Sequence, residues 1–180
     1  MRVISGEARG IRLAPPPRGV RPTSDRVRES LFNALGQFFE GGEVLDLYAG
    51  TGALGIEALS RGCDRATFVE KNPRAAATIR ENLRRTGLKE RARVVVGDAV
   101  REMERLRRDG KVFNLIFADP PYRIAAAGAE VLLGLAEALL APGGRFILES
   151  GEEPALAEKK GETRRYGGTF VTILERSEAK

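Results

Sequence analysis

Histidine and tryptophan are absent from this 180-residue chain, and cysteine occurs once. Without histidine, the commonest general base, the Ser-His-Asp arrangement and nearly every catalytic zinc site are excluded. A single thiol, Cys63, permits neither an internal disulfide nor a thiolate metal cluster. Cys63 follows Gly62 after an Ala/Leu-rich segment, so it reads as a buried structural thiol, and chemistry that attacks a pyrimidine ring through cysteine is disfavoured. Long apolar runs are also missing: the longest, residues 131–140, is interrupted by Gly134 and Glu137 and is too short to span a membrane. Met1-Arg2-Val3-Ile4-Ser5-Gly6 lacks the apolar core of a signal peptide, which predicts a cytoplasmic protein. There is no internal repeat and no low-complexity tract.

The residues present describe an ordinary soluble domain, 42% hydrophobic and 31% charged, long enough to bury a core. Its charge is unbalanced. Arginine outnumbers lysine 24 to 6, the net charge is +5 and the pI is near 9.7. Residues 1–30 carry Arg2, Arg9, Arg12, Arg18, Arg21, Arg26 and Arg28 against Glu7, Asp25 and Glu29. Guanidinium groups bind phosphates bidentately and stack on bases, so this segment is the leading nucleic-acid candidate; a solvated, arginine-biased surface is the alternative.

Along the chain, residues 2–5 and 10–13 alternate around Gly6-Glu7-Ala8-Arg9 and predict a small hairpin. Pro15-Pro16-Pro17 then forces an extended link, and Thr23 or Ser24 caps a helix expected to run to about Phe39, with Val27, Leu31, Leu35 and Phe38 on one face. Beyond it, strands are expected near 44–48, 66–70, 93–96, 112–118 and 145–149, separated by helices near 53–60, 73–85, 99–107 and 125–140. Pro142-Gly143-Gly144 reads as a turn into the fifth strand, and residues 163–166 and 169–174 flank a Gly167-Gly168 hairpin turn. Regular alternation predicts an α/β fold: a Rossmann-like, doubly wound, mostly parallel seven-stranded sheet with a C-terminal antiparallel pair. The basic hairpin and linker, residues 1–22, form an extension to a domain at 23–180.

Asp46, Glu70, Asp98 and Asp119 fall at the carboxyl ends of four successive predicted strands, the edge where open α/β sheets bind ligands. Four carboxylates on one rim suit a ligand rich in hydroxyls, amines or positive charge; for Asp98, capping the following helix is a serious rival. Asp46-Leu47-Tyr48-Ala49-Gly50-Thr51-Gly52 leaves the first strand through glycines that allow a sharp turn, and Gly55 completes G-x-G-x-x-G, a pattern that nicotinamide or flavin proteins share. Asp119-Pro120-Pro121-Tyr122 ends the fourth strand. Neither proline has an N–H, so the ladder must stop, presenting a carboxylate and a carbonyl as acceptors beside an aromatic ring. Acceptors without donors next to a flat plate suit a planar group bearing NH2.

Together these residues resemble the bacterial class I S-adenosylmethionine-dependent methyltransferases that modify the exocyclic N2 of a guanine in 16S ribosomal RNA. The likeness spans nearly the whole chain. It includes Arg2-Val3-Ile4-Ser5-Gly6, Arg21-Pro22-Thr23, Arg28-Glu29-Ser30-Leu31-Phe32-Asn33, the glycine loop with residues 53–62, Glu70-Lys71-Asn72, Gly97-Asp98-Ala99 and Asp119-Pro120-Pro121-Tyr122. The resemblance implies S-adenosylmethionine as cofactor, held by Thr23, Arg26, Glu29, Asp46, Tyr48, Gly50, Gly52, Glu70, Lys71, Asp98, Ala99 and Asp119. It implies catalysis at Asp119, Pro120, Pro121 and Tyr122, and RNA contact through Arg2, Arg9, Arg12, Arg18 and Arg21. The implied partner is 16S rRNA within a small ribosomal subunit, bound by a monomer with no metal and no membrane. Methylation of a protein glutamine amide or a DNA base amine stays open, as do a nicotinamide-dependent oxidoreductase and a non-catalytic RNA-binding module.

Overall fold

The computed structural model describes residues 1–16, 25–121, 125–153 and 161–178. Its helices are α1 Asp25–Leu35, α2 Ala53–Ser60, α3 Pro73–Thr86, α4 Ala99–Arg108 and α5 Ala125–Leu139; its strands are β1 Glu43–Leu47, β2 Arg65–Glu70, β3 Ala92–Val96, β4 Phe113–Ala118, β5 Leu140–Ser150, β6 Glu162–Tyr166 and β7 Thr169–Glu175. They form one seven-stranded sheet in the order β3-β2-β1-β4-β5-β7-β6. β1 to β5 run parallel, and β7 returns antiparallel between β5 and β6. The order reverses between β1 and β4, so the carboxyl ends of those strands open a crevice.

The pleat of β1 divides the core in two. Val44 packs with α1, α2 and α3 on one face, in a cluster that includes Phe32, Ile56, Phe68 and Phe117. Leu45 and Leu47 face the other way, against Met103, Leu132, Leu139 and Phe146 from α4, α5 and β5. A strand buried on both sides reads as a continuous apolar run, which is why β1 and β4 were legible as central strands. α3 starts as its sequence dictates, with the Asn72 side chain accepting from Arg74 N at 2.9 Å and Pro73 in the first turn.

Two expectations about element boundaries need correcting. α1 stops at Leu35 rather than near Phe39, because Gly36 turns to φ 115°, and Phe38 therefore leaves the apolar face and stands 65% exposed. Pro142-Gly143-Gly144 is not a turn before β5 but an irregularity inside it, since Phe113 pairs with Leu140 and Leu115 with Arg145. Gly143 N donates to Arg176 O and Gly144 O accepts from Arg176 N, so the bulged peptides find partners past β7.

The N-terminal hairpin forms around the bridge Arg2↔Arg12, with Val3 N donating to Ile11 O at 3.0 Å and Gly10 N to Val3 O at 2.9 Å. It is fastened to α2. Ile4 N and Ser5 N donate to the Glu57 carboxylate at 2.9 and 3.0 Å, and Ala8 N donates to Ser60 Oγ at 3.0 Å. Glu57 also binds Arg61 Nε at 2.8 Å and lies 3.7 Å from Arg28 Nε. Arg28, counted above with the nucleic-acid arginines, is instead fully buried and donates to the Arg2 carbonyl. An inward position on α1 and a buried carboxylate opposite turn this guanidinium into a structural group.

Gly6 is the tightest point of that contact. Its φ is 84°, and a Cβ there would sit 1.8 Å from Ser60 O, the atom that accepts from Glu7 N. Gly6→Ala combines left-handed strain with overpacking and is expected to cost about 2–4 kcal/mol. Chemical denaturation would show it as a lower midpoint at unchanged slope; an unchanged midpoint would mean that the hairpin is not seated on α2.

Candidate active site

The site begins where β1 ends. Asp46 is almost wholly buried, pairing through its backbone with Phe68 and Phe117 on the flanking strands, and its Oδ2 accepts from Gly55 N at 2.9 Å. The loop that follows is pegged at several points. Ala49 N donates to Val69 O, Gly50 N to Glu70 Oε2 at 2.8 Å, and Gly52 N to Ala49 O at 2.7 Å. Gly50 and Gly52 take φ of 56° and 77°, and Tyr48 adopts 56° without a glycine's freedom. Left-handed backbone at a tyrosine is held against a cost of about 1–3 kcal/mol, a pattern that clusters at binding sites. Gly55 serves packing: a Cβ would come within 2.4 Å of the Phe68 ring, so α2 can lie close on β2 only with glycine there.

Glu70, at the end of β2, is held at both oxygens, Oε2 by Gly50 N and Oε1 by Asn72 N at 2.8 Å. Each oxygen retains a further lone pair for a ligand hydroxyl. Lys71 beside it is exposed. Asp98 Oδ1 accepts from Arg101 N at 3.2 Å and so caps α4, as its rival reading held; Ala99 follows, buried, as the first helical residue. Asp119 leaves β4 half-buried, with Pro120 buried and Pro121 exposed.

Electrostatics ties these groups together. Burial pushes the Asp46 carboxyl up to about 8; the Gly55 N–H opposes this, and the charges of Asp119 and Glu70 add to it. The Tyr48 phenol is raised by burial and by the charge of Asp98. The charges of Glu70 and Asp119 therefore converge on Asp46, and the charge of Asp98 reaches Tyr48. Cys63 lies elsewhere, buried, with its thiol pushed up to about 12 by burial, as an inert structural thiol should be. Among the described residues no group of His, Cys, Asp and Glu is arranged to hold a metal ion.

Other expected site residues are placed less centrally. Arg26 and Glu29 are on the exposed side of α1. Arg2, Arg9 and Arg12 are exposed on the hairpin. Thr23, Arg18, Arg21 and Tyr122 lie outside the described residues.

Sequence reasoning missed Asn82. It is fully buried on α3, its Nδ2 donates to Thr51 O in the glycine loop at 2.9 Å, and its Oδ1 accepts from Ala14 N at 2.6 Å. One amide thus joins the end of the basic hairpin to the loop. The available signal was a lone polar residue on the apolar face made by Ala75, Ala76, Ile79 and Leu83.

Residues 1–175 match the protein family described as Conserved hypothetical protein 95. The chain belongs to this family. Among its relatives, the provisionally named rRNA methyltransferase YlbH of Bacillus subtilis is 40% identical over 182 residues, covering 98% of this chain and 99% of that one. Ribosomal RNA small subunit methyltransferase D of Escherichia coli is 43% identical over 124 residues, 68% of this chain and 61% of that protein. The solved structure of a hypothetical protein from Thermus thermophilus superposes with a TM-score of 0.85 at 36% identity, covering 99% of each chain. The likeness therefore extends over the whole architecture, basic hairpin included.

Proposed function

We propose that this chain is an S-adenosylmethionine-dependent methyltransferase acting on the exocyclic N2 amine of a guanine in small-subunit ribosomal RNA, within an assembled or partly assembled particle. The observation that carries the reading is the acid-lined crevice, in which the charges of Glu70 and Asp119 converge on buried Asp46 beside a pegged glycine loop while Asp119-Pro120-Pro121 ends β4 on the same edge. The names of the relatives from Bacillus subtilis and Escherichia coli support the substrate class.

The residues suit the cofactor. With Asp46 held at about 8 by burial and by the charges of Asp119 and Glu70, a sulfonium or an ammonium placed beside it would favour the carboxylate and be bound by it. Gly50 and Gly52 bring backbone close to the methionine part, with Arg26 and Glu29 of α1 as further contacts and Thr23, outside the described residues, assigned to it by the resemblance. Glu70 accepts from the ribose hydroxyls with Lys71 alongside, Asp98 and Ala99 meet the adenine edge, and Tyr48 packs between them. When bound, the cofactor supplies an electrophilic methyl group.

The chain's own residues then make the amine reactive. An aryl amine is a weak nucleophile because its lone pair is delocalised into the ring. The Asp119 carboxylate and the Pro120 carbonyl each accept one of its N–H bonds, which holds the nitrogen with its lone pair directed out of the base plane. Pro121 keeps the backbone from re-entering the ladder. Tyr122 stacks on the extruded base, offsetting part of the few kcal/mol that unstacking costs. Catalysis is positioning and electrostatics: as the N–C bond forms and the S–C bond breaks to leave a neutral thioether, the amine releases one proton past the Asp119 carboxylate to solvent, which requires no histidine. Residues 1–22, with Arg2, Arg9, Arg12, Arg18 and Arg21, form the RNA-facing extension of a cytoplasmic monomer.

The test uses small ribosomal subunits from cells lacking this protein, incubated with it and labelled S-adenosylmethionine, followed by nuclease digestion and mass spectrometry. N2-methylguanosine at one position is the expected product. Label in protein, or none in RNA while the cofactor binds, would move the substrate to a protein amide or DNA.

A further inference from the structure

We propose that the groove between the hairpin turn and the carboxyl end of α2 is a stacking site for a nucleobase of the RNA flanking the target, with Phe38 as the platform and Arg9 as the phosphate contact. The inference rests on the RNA substrate proposed above and adds a contact at the opposite end of α2 from the glycine loop. The groove has a volume of about 510 Å³ and is lined by Ser5, Glu7, Arg9, Phe38, Ser60 and Arg61.

Phe38 is 65% exposed, and the other large apolar side chains exposed among the described residues are valines. The backbone on either side of it is nevertheless pinned: Phe39 N donates to Arg61 O at 2.9 Å, Gly41 N to Gly62 O at 3.1 Å, and Arg61 Nη1 to Gln37 O at 3.2 Å. Arg61 is itself fixed by Glu57 at 2.8 Å and lies 4.8 Å over the Phe32 ring. An aromatic ring held out on a rigid frame loses little conformational entropy when a base stacks on it.

Charge selects the partner. Glu7 is engaged by Arg91, and Arg61 is neutralised by Glu57. Arg9 is exposed and has no acidic partner among the described residues, so the groove is left with one uncommitted cation beside one flat ring. A nucleotide carries the complement of both, a phosphate and a planar base. From the groove, exposed Arg2 and Arg12 sit across from each other in the hairpin, and the chain then reaches Ala14, bonded to Asn82 beside the glycine loop. A basic track thus leads from the groove towards the site of methyl transfer.

Because Phe38 is exposed, Phe38→Ala should leave the melting temperature and the affinity for S-adenosylmethionine unchanged. It should raise the KM for small ribosomal subunits by about 5- to 100-fold, the worth of one stacked base, with kcat at saturation retained. Phe38→Trp should restore KM and introduce the only tryptophan in the chain, and its emission should be quenched by an unmodified 16S rRNA transcript. A wild-type KM in Phe38→Ala overturns the proposal. So does indole emission indifferent to the transcript in a variant that still methylates subunits, or emission that changes with protein concentration alone, which would assign the groove to a second copy of the chain. Wild-type protein that places no label in RNA would sink the substrate reading itself; an active wild type with an indifferent Phe38→Ala sinks only the groove.

Discussion

Asp119→Ala is expected to remove methyl transfer, lowering kcat by at least about 10²–10³-fold, on the order of what one aimed electrostatic contact contributes in an enzyme site. Affinity for S-adenosylmethionine should change by no more than a few-fold. The reason lies in the position of the side chain, half-buried at the point where Pro120 and Pro121 end β4. The cofactor's other proposed contacts, through the glycine loop, Glu70 and Asp98, are pegged independently of it by Gly50 N, Asn72 N and Arg101 N. Loss of a contact made chiefly with the reacting amine should appear in kcat far more than in cofactor binding. Asp119→Asn keeps an acceptor oxygen but no charge and should fall between alanine and wild type. Single-turnover methylation together with equilibrium cofactor titration checks both halves. Near wild-type turnover in Asp119→Ala would end the amine-clamp mechanism.

The second large effect concerns stability. Asp46 has its carboxyl raised from 3.8 to about 8 in the folded chain, so between those values the native state keeps a proton that the unfolded state has released. Native stability must therefore fall as pH rises from about 4 to about 8, and then level off. One pKa unit is about 1.4 kcal/mol, so the full penalty is on the order of 5 kcal/mol above pH 8. Asp46→Asn cannot ionise, and its carbonyl can still accept from Gly55 N, although its buried NH2 forfeits roughly 1–3 kcal/mol of desolvation. The variant should accordingly be more stable than wild type at about pH 8.5, by about 2–4 kcal/mol, with the difference shrinking steadily and vanishing or reversing by about pH 4–5. Cofactor affinity should fall at the same time, since the charge facing a cationic ligand is gone. Thermal melts of both proteins across about pH 4–9 decide it, and a difference that does not vary with pH would refute the assignment. A group that destabilises the empty fold while serving the ligand is the usual trade at a binding site.

Most of the element order was legible in sequence because parallel strands buried on both faces and helices with one apolar face leave periodic patterns that composition cannot blur. Residues 73–86 are an example, with Asn72-Pro73 marking a start that the structure reproduces as a side-chain cap; residues 53–60 are buried on every side. The acids at strand ends were legible for the same reason, since an acidic residue closing an apolar run is visible before any coordinates exist. What failed were local endings. Gly36 ended α1 where the apolar face continued in sequence to Phe38, and Pro142–Gly144 bulged within β5 because Phe113 and Leu115 on the neighbouring strand set the register.

By itself, the sequence determined the α/β alternation, the glycine loop between β1 and α2, the acids at the strand ends and the basic character of the first thirty residues. Each depends on neighbours within a few positions, where chain geometry leaves little choice. Only the tertiary structure decided which charges are functional surface and which are buried scaffold. Arg28 and Arg9 are alike in sequence, but one faces Glu57 inside the core and the other faces solvent across the groove from Phe38. Likewise, Asn82 gained its partners from positions 31 and 68 residues away. A charge or an amide acquires its role from what folding sets against it, and those contacts are long-range.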